Sequence, residues 1–344
     1  MNLLVDDNTS FVDDTALMCF PLPRFSFMIR TFILLLCPFA AIAQLKLPAL
    51  NTPPEKATML GEGIISTAIN ERDFALSPNG NEIYYTISTP KSTLQTIVFI
   101  RKISNDEWTA PEVVSFAGEY SDLEPVFSHD GNTLYFSSNR PLTGTEPKDF
   151  DVWKVTRTAN GWSKPENLGA VINTEADEFY PSIARNGNLY FTAQYPGGPG
   201  REDIYVSEFR NNQYQKPVAL DTMVNSRVYE FNAFVDPDEQ YILFTSYGRK
   251  DDTGGGDLYI AIKDANGKWK PARNLKELNS KQLDYCPFVS HDGKALFFTS
   301  ERHQLPVSFT GNKATVQKIK DIAQSAANGT GNIYWVSFDR ITKR

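Results

Sequence analysis

Cysteine is scarce in this 344-residue chain, with three residues at positions 19, 37 and 286. Two of them fall within the first 43 residues. A chain trimmed there keeps Cys286 alone, forms no intramolecular disulfide, and must be held by its own core. Histidine is as rare: His129, His291 and His303 are widely separated and do not make a metal-ligand spacing, so neither a metal nor a cofactor is expected. Basic charge is not in excess, since 34 Lys and Arg stand against 41 Asp and Glu for a net charge of −7. That balance leaves no electrostatic footprint for nucleic acid or an anionic membrane surface. Long apolar runs are missing too. The longest, residues 32–42, is too short for a permanent transmembrane helix. There is no G-x-S-x-G nucleophile elbow, and the glycine clusters at Gly197 and Gly254 lack the Lys and Ser or Thr of a phosphate loop. Residues 251–257, DDTGGGD, lack the spacing of a calcium loop. Cys286, with no His or Asn constellation beside it, reads as a small buried strand residue.

The short apolar run has a different meaning. Residues 28–44 read MIRTFILLLCPFAAIAQ, the charged, apolar, small-residue order of a secretory signal peptide, with cleavage expected after Ala43. Residues 1–27 precede a complete signal and read as a non-native upstream extension, with Met28 as the expected start. Lipid attachment at Cys37 is the minor alternative, disfavoured by Leu36 and Pro38 around it. The expected location is periplasmic or extracellular, and residues 44–344 form the mature domain.

What is abundant is repetition. Five copies of one phrase recur: FALSPNGNEIYYTIS from Phe74, PVFSHDGNTLYFSS from Pro125, PSIARNGNLYFTA from Pro181, AFVDPDEQYILFTS from Ala233 and PFVSHDGKALFFTS from Pro287. The turn positions Gly80, Gly131, Gly187, Glu239 and Gly293 are 51, 56, 52 and 54 residues apart, a period that signals a propeller or a solenoid. Each copy has an apolar strand A, a tight turn and an aromatic-rich strand B. Strand C follows a variable loop, as in DVWKV at Asp151 or DIYVS at Asp203. An aromatic then precedes a proline, as in Trp108 and Pro111 or Trp162 and Pro165. Proline cannot donate to a ladder, so that fourth strand D is expected at the outer edge. The last copy lacks its strand D, whereas residues 57–70 resemble the D strand and connector that begin at Glu166. The N-terminal strand is therefore expected to complete the last blade and close the ring.

The expected fold is all-β: a five-bladed β-propeller of four-stranded antiparallel blades, at about 71–115, 122–172, 178–224, 230–279 and 284–338 with 57–70. Residues 303–331 are an insertion in the last blade, expected to carry a short helix with Val316, Ile319, Ile322 and Ala323 on one face and to act as a cap, a lid or a partner contact. Ser128-His129-Asp130-Gly131 with LYFSS and the later DVW, and the looser Ser77-Pro78-Asn79-Gly80, resemble the WD40-like repeat of TolB-type β-propellers. The resemblance covers residues 57–338 and is weakest at Ala184-Arg185-Asn186-Gly187 and at Asp236-Pro237-Asp238-Glu239. It implies a binding protein for a protein or cell-envelope component.

In such blades the DA and BC connections share one face of the ring. Nine residues before each turn position stands a carboxylate: Glu71, Asp122, Glu178, Glu230 and Asp284. Arg140, Arg249 and Arg302 follow strand B on the same face. This ring is expected either to pair within blades or to grip a polar ligand. Two residues further in, the symmetry fails, with Asp73 and Glu124 acidic where Tyr180, Asn232 and Cys286 are not. The expected function is a non-catalytic, monomeric binding or scaffold protein using the DA/BC face. The alternative is a carbohydrate-active hydrolase with Asp73 and Glu124 at the funnel. His129 and His291, on AB turns of different blades, are expected to be turn residues rather than joint metal ligands.

Overall fold

The computed structural model describes residues 45–342; the expected signal peptide, Cys19 and Cys37 lie outside the described residues. Five four-stranded antiparallel sheets form the blades. Strands A, B, C and D are Asn70–Leu76, Glu82–Ser88, Gln95–Arg101 and Glu112–Val113 in blade 1. Blade 2 has Asp122–Phe127, Thr133–Ser138, Asp151–Thr158 and Glu166–Asn167. Blade 3 has Glu178–Ile183, Leu189–Ala193, Asp203–Ser207 and Val218–Ala219. Blade 4 has Tyr229–Val235, Tyr241–Tyr247, Asp257–Ile262 and Arg273–Asn274. Blade 5 has Asp284–Val289, Ala295–Ser300, Asn332–Ser337 and, as its strand D, the N-terminal Thr58–Met59. Thr58 pairs with Trp335 and Met59 with Tyr334, so the ring closes as the sequence predicts.

The repeated phrase has a local cause. In blades 1, 2 and 5 the hydroxyl of Ser77, Ser128 or Ser290 accepts the N–H of Glu82, Thr133 or Ala295 at 2.9 Å. The same hydroxyl donates to Asn79, Asp130 or Asp292. The turn glycine sits at φ 71°, 72° or 70°, a conformation in which a β-carbon is unfavourable. Blade 4 departs, with Glu239 at φ 56°. Its carboxylate is compensated by blade 3, accepting from Tyr190 Oη at 2.7 Å and from Asn188 and Asn186.

Strands D differ in position from the sequence reading. They are two-residue pairs that follow the proline, while Trp108 and Trp162 lie in the short ribbon before it. The N-terminal segment reaches further than strand closure alone. Leu45–Lys46 pairs with Trp108 and Glu107 of blade 1, and buried Leu47, Leu60 and Ile65 join Phe74, Phe297, Trp108 and Trp335 in one core cluster across the seam of blades 5 and 1. The insertion does form a helix, Val316–Ala323, capped by the Thr315 hydroxyl. None of its residues is buried, and Val316 and Ile319 are exposed, so its apolar face is not pressed into the propeller. The insertion is tied down beyond the helix, where Asn328 and Thr330 donate to the carbonyls of Ala68 and Ile69 at 3.0 and 2.9 Å.

Candidate functional site

Each strand A breaks its pairing at one place, between Arg72 and Ala75 in blade 1 and at the equivalent points of the other four. The first bulged residue is Asp73, Glu124, Tyr180, Asn232 or Cys286, and all five have positive φ, from 50° to 62°. A bulge of this kind re-aims a side chain, and five of them at one level bring these residues together around the ring axis. The asymmetric inner positions thus become one buried cluster.

Its centre is Arg72. Its Nε donates to Asp73 Oδ1 at 2.8 Å and its Nη2 to Glu124 Oε1 at 2.9 Å, while the guanidinium lies 5.2 Å from the centre of the Tyr285 ring. Glu124 Oε2 accepts the Tyr180 N–H at 2.6 Å, and Asn232 Nδ2 lies 3.4 Å from Oε1. The Cys286 thiol donates to Asp73 Oδ1 at 2.8 Å, so this cysteine is more than apolar filling. Burial and the neighbouring Asp73 and Glu124 push the thiol well above its usual range, so it is no nucleophile at rest. Burial likewise raises Glu124 to about 7, against the opposing pull of Arg72, with Asp73 adding to the rise. Arg72 is the residue that sequence reasoning missed. The signal lay in aligning the five copies, where its position is held by Leu123, Phe179, Phe231 and Tyr285.

Above this floor, on the DA/BC face, opens a funnel of about 270 Å³ lined by Arg72, Glu124, Phe150, Phe179, Glu202 and Phe231 among others. Below it, Pro125, Pro181, Pro287, Phe74 and Phe288 fill the channel almost completely. A larger cavity of about 530 Å³ lies at the opposite end of blades 1 and 5, between the N-terminal segment and the AB turns. Asn79, Lys102, Asn105, His291 and Asp292 are among the polar residues that line it. His129 and His291 stand on that far face with ring centroids 6.0 Å apart, closer than their different blades led us to expect, because the AB turns converge on the axis. His291 Nε2 contacts the Leu76 carbonyl at 2.9 Å. Among the described residues no group of three or more His, Cys, Asp or Glu is arranged to hold a metal ion.

The five ring carboxylates are all buried, and each is bound within its own blade. Each accepts the backbone N–H four residues earlier, from Thr67, Gly118, Thr174, Ser226 or Ser280, which fastens the DA connector. Arg140, Arg249 and Arg302 pair with Asp122, Glu230 and Asp284 and also donate to the carbonyls of Phe116, Val224 and Leu278. Each guanidinium lies against aromatic rings of strands B and C, as Arg249 does against Phe244 and Tyr259. Blades 1 and 3 have no such arginine. There Glu71 and Glu178 rely on Thr67, Thr174 and Tyr195, and burial raises both to about 7.

A carboxyl whose folded pKa is raised contributes stability that is fully present below its unfolded value near 4.5 and is lost as pH rises through about 7. The melting temperature is therefore expected to fall between pH 5 and pH 8. Glu71→Gln with Glu178→Gln should flatten that slope by several degrees, as measured by calorimetry across this range. An unchanged slope in the double variant would show that these two groups do not set it.

No family model matches the chain, and no curated protein matches it. Solved structures do resemble it. TolB from Acinetobacter baumannii is 14% identical over 67% of this chain and 49% of its own, with a TM-score of 0.43. An endo-arabinase from Bacteroides thetaiotaomicron is 14% identical over 73% and 99%, with a TM-score of 0.48. An arabinanase from Bacillus subtilis is 12% identical over 77% and 93%, with a TM-score of 0.44. The chain spans about half the length of that TolB. No helix among the described residues is long and apolar enough to cross a membrane.

Proposed function

We propose that this chain is an exported, non-catalytic propeller whose DA/BC face holds a protein or cell-envelope component over the funnel. The observation that carries the reading is that its two inner acids are held by one guanidinium, with the remaining oxygen, Asp73 Oδ2, unpartnered but buried away from the funnel's open space. Asp73 Oδ1 and Glu124 Oε1 share one guanidinium, and Glu124 Oε2 is taken by a backbone N–H. A general acid must carry its proton on an oxygen free to meet the leaving group, and its partner must reach the opposite side of the sugar. Asp73, 1% exposed, and Glu124 are instead bound to the same side chain at the bottom of the funnel. In this reading the ring carboxylates and their arginines hold the loops that shape the binding face.

One observation favours the hydrolase reading. A glutamate raised to about 7 is part-protonated at neutral pH, as a general acid must be. The two readings separate on Asp73→Asn and Glu124→Gln, assayed in parallel for release of reducing ends from a panel of plant and envelope polysaccharides and for capture of envelope components. The expected result is no turnover by any form, and capture that survives both amides but falls at least tenfold in Phe179→Ala. Turnover by the parent protein that drops more than a hundredfold in Glu124→Gln would replace the binding reading with the enzymatic one.

A further inference from the structure

The wall of the funnel differs from its floor. On the blade 3 side, Glu202 lines the funnel and its carboxylate has no partner among the described residues. Its charged neighbours are Asp177 and Asp203, both acidic. Thr192, fully buried, lines the same space with Oγ1 unpartnered. The equivalent hydroxyls of Thr86 and Thr299 accept the bulge N–H groups of Glu124 and Asp73. Thr245 Oγ1 is also unpartnered but does not line the funnel. Phe179 pairs with Thr192 across strands A and B, and the Phe150 ring lies 4.9 Å from that of Phe179. With Phe231, three half-buried rings stand around an open acid, while the Thr192 hydroxyl is itself sealed from solvent.

The one cation of the funnel does not offset this. Arg72 is already engaged by Asp73 and Glu124 and lies against Tyr285 on the blade 5 side, with Glu301 as a further acid in its field. The blade 3 wall therefore offers an unpartnered carboxylate and π faces without a cation. A primary ammonium on an apolar stem suits this wall: it donates to a carboxylate, is attracted to ring faces, and buries its methylenes.

Resting on the binding reading above, we propose that the funnel receives the basic side chain of a partner protein, its ammonium held by Glu202 and its stem packed along Phe150, Phe179 and Phe231. An anionic or purely apolar tip would leave Glu202 unmatched. Burial and the two neighbouring aspartates raise Glu202 to about 7, so the bound cation should displace a proton near neutrality.

The test uses the full chain and three probes, N-acetyl-lysinamide, its neutral isostere N-acetyl-norleucinamide and N-acetyl-glutamamide, followed by calorimetry and NMR titration. At pH 8 the lysine probe is expected to bind at least tenfold tighter than either competitor. Glu202→Gln should remove most of that margin while leaving the norleucine probe unchanged. Acidification to pH 5.5 should weaken the lysine probe about tenfold, and titration at pH 6.5 in buffers of different ionisation enthalpy should report proton release. Equal or tighter binding of the norleucine or glutamate probe, or no effect of Glu202→Gln, overturns the inference. If one of those probes binds and is lost in Phe179→Ala, the cation falls but the funnel remains a binding site. If no probe binds and envelope capture is untouched by Phe179→Ala, both fall.

Discussion

Deleting residues 44–70 is expected to abolish cooperative unfolding and to yield aggregates on size exclusion. The deletion takes away strand D of blade 5 and uncovers the hydrogen-bonding edge of Asn332–Ser337, an open template for pairing with another molecule. It also strips Leu47, Leu60 and Ile65 from the cluster that welds blade 5 to blade 1. Leu60→Ala alone, at a fully buried position, should cost about 2–5 kcal/mol and lower the melting temperature by several degrees without aggregation. A truncated protein that melts like the full chain would mean that the ring is not closed by this segment.

Arg302→Met is expected to destabilise the fold by about 3–5 kcal/mol, because it leaves a buried charge without its counter-ion. Arg302 Nη2 donates to Asp284 Oδ1 at 2.7 Å and to the Leu278 carbonyl at 2.8 Å, its Nε donates to Ser300, and its head lies against Phe298 and Tyr334. Methionine keeps some of the ring contact and none of the donors. Adding Asp284→Asn should restore part of the stability. Denaturant melts of the parent, both single variants and the double variant measure the coupling. A coupling near zero would remove the ion pair from the account of how the connector is held.

The sequence announces this architecture because the AB hairpin is built from contacts within a few residues. The Ser128 hydroxyl reaches Asp130 and the Thr133 N–H, and Gly131 supplies the positive φ, so blades 1, 2 and 5, which share this turn, carry nearly the same letters. The same holds for the ring carboxylates, whose four-residue reach to the connector backbone fixes their place in each repeat. What stayed hidden depends on closure. Arg72 meets Glu124 and Cys286 only because blades 1, 2 and 5 converge, and His129 approaches His291 for the same reason. The strands D were displaced in the sequence reading because an aromatic before a proline is a conspicuous mark, whereas the pairing partner is a two-residue match on a distant strand. The unpartnered Glu202 carried no signal at all, since solitude is a property of surroundings rather than of spelling.

Because Thr58 finds its place beside Trp335, the ring is a clasp whose two halves are the most distant parts of the described chain. Blades 1 to 4 each draw all four strands from neighbouring sequence, so they can assemble in order as the chain becomes available. Blade 5 cannot, and until it does the funnel has no blade 5 wall and Asp73 lacks its thiol donor. Formation of the axial cluster is therefore tied to the slowest, longest-range step of folding, and a trapped, unclasped chain would be recognisable by a reactive Cys286.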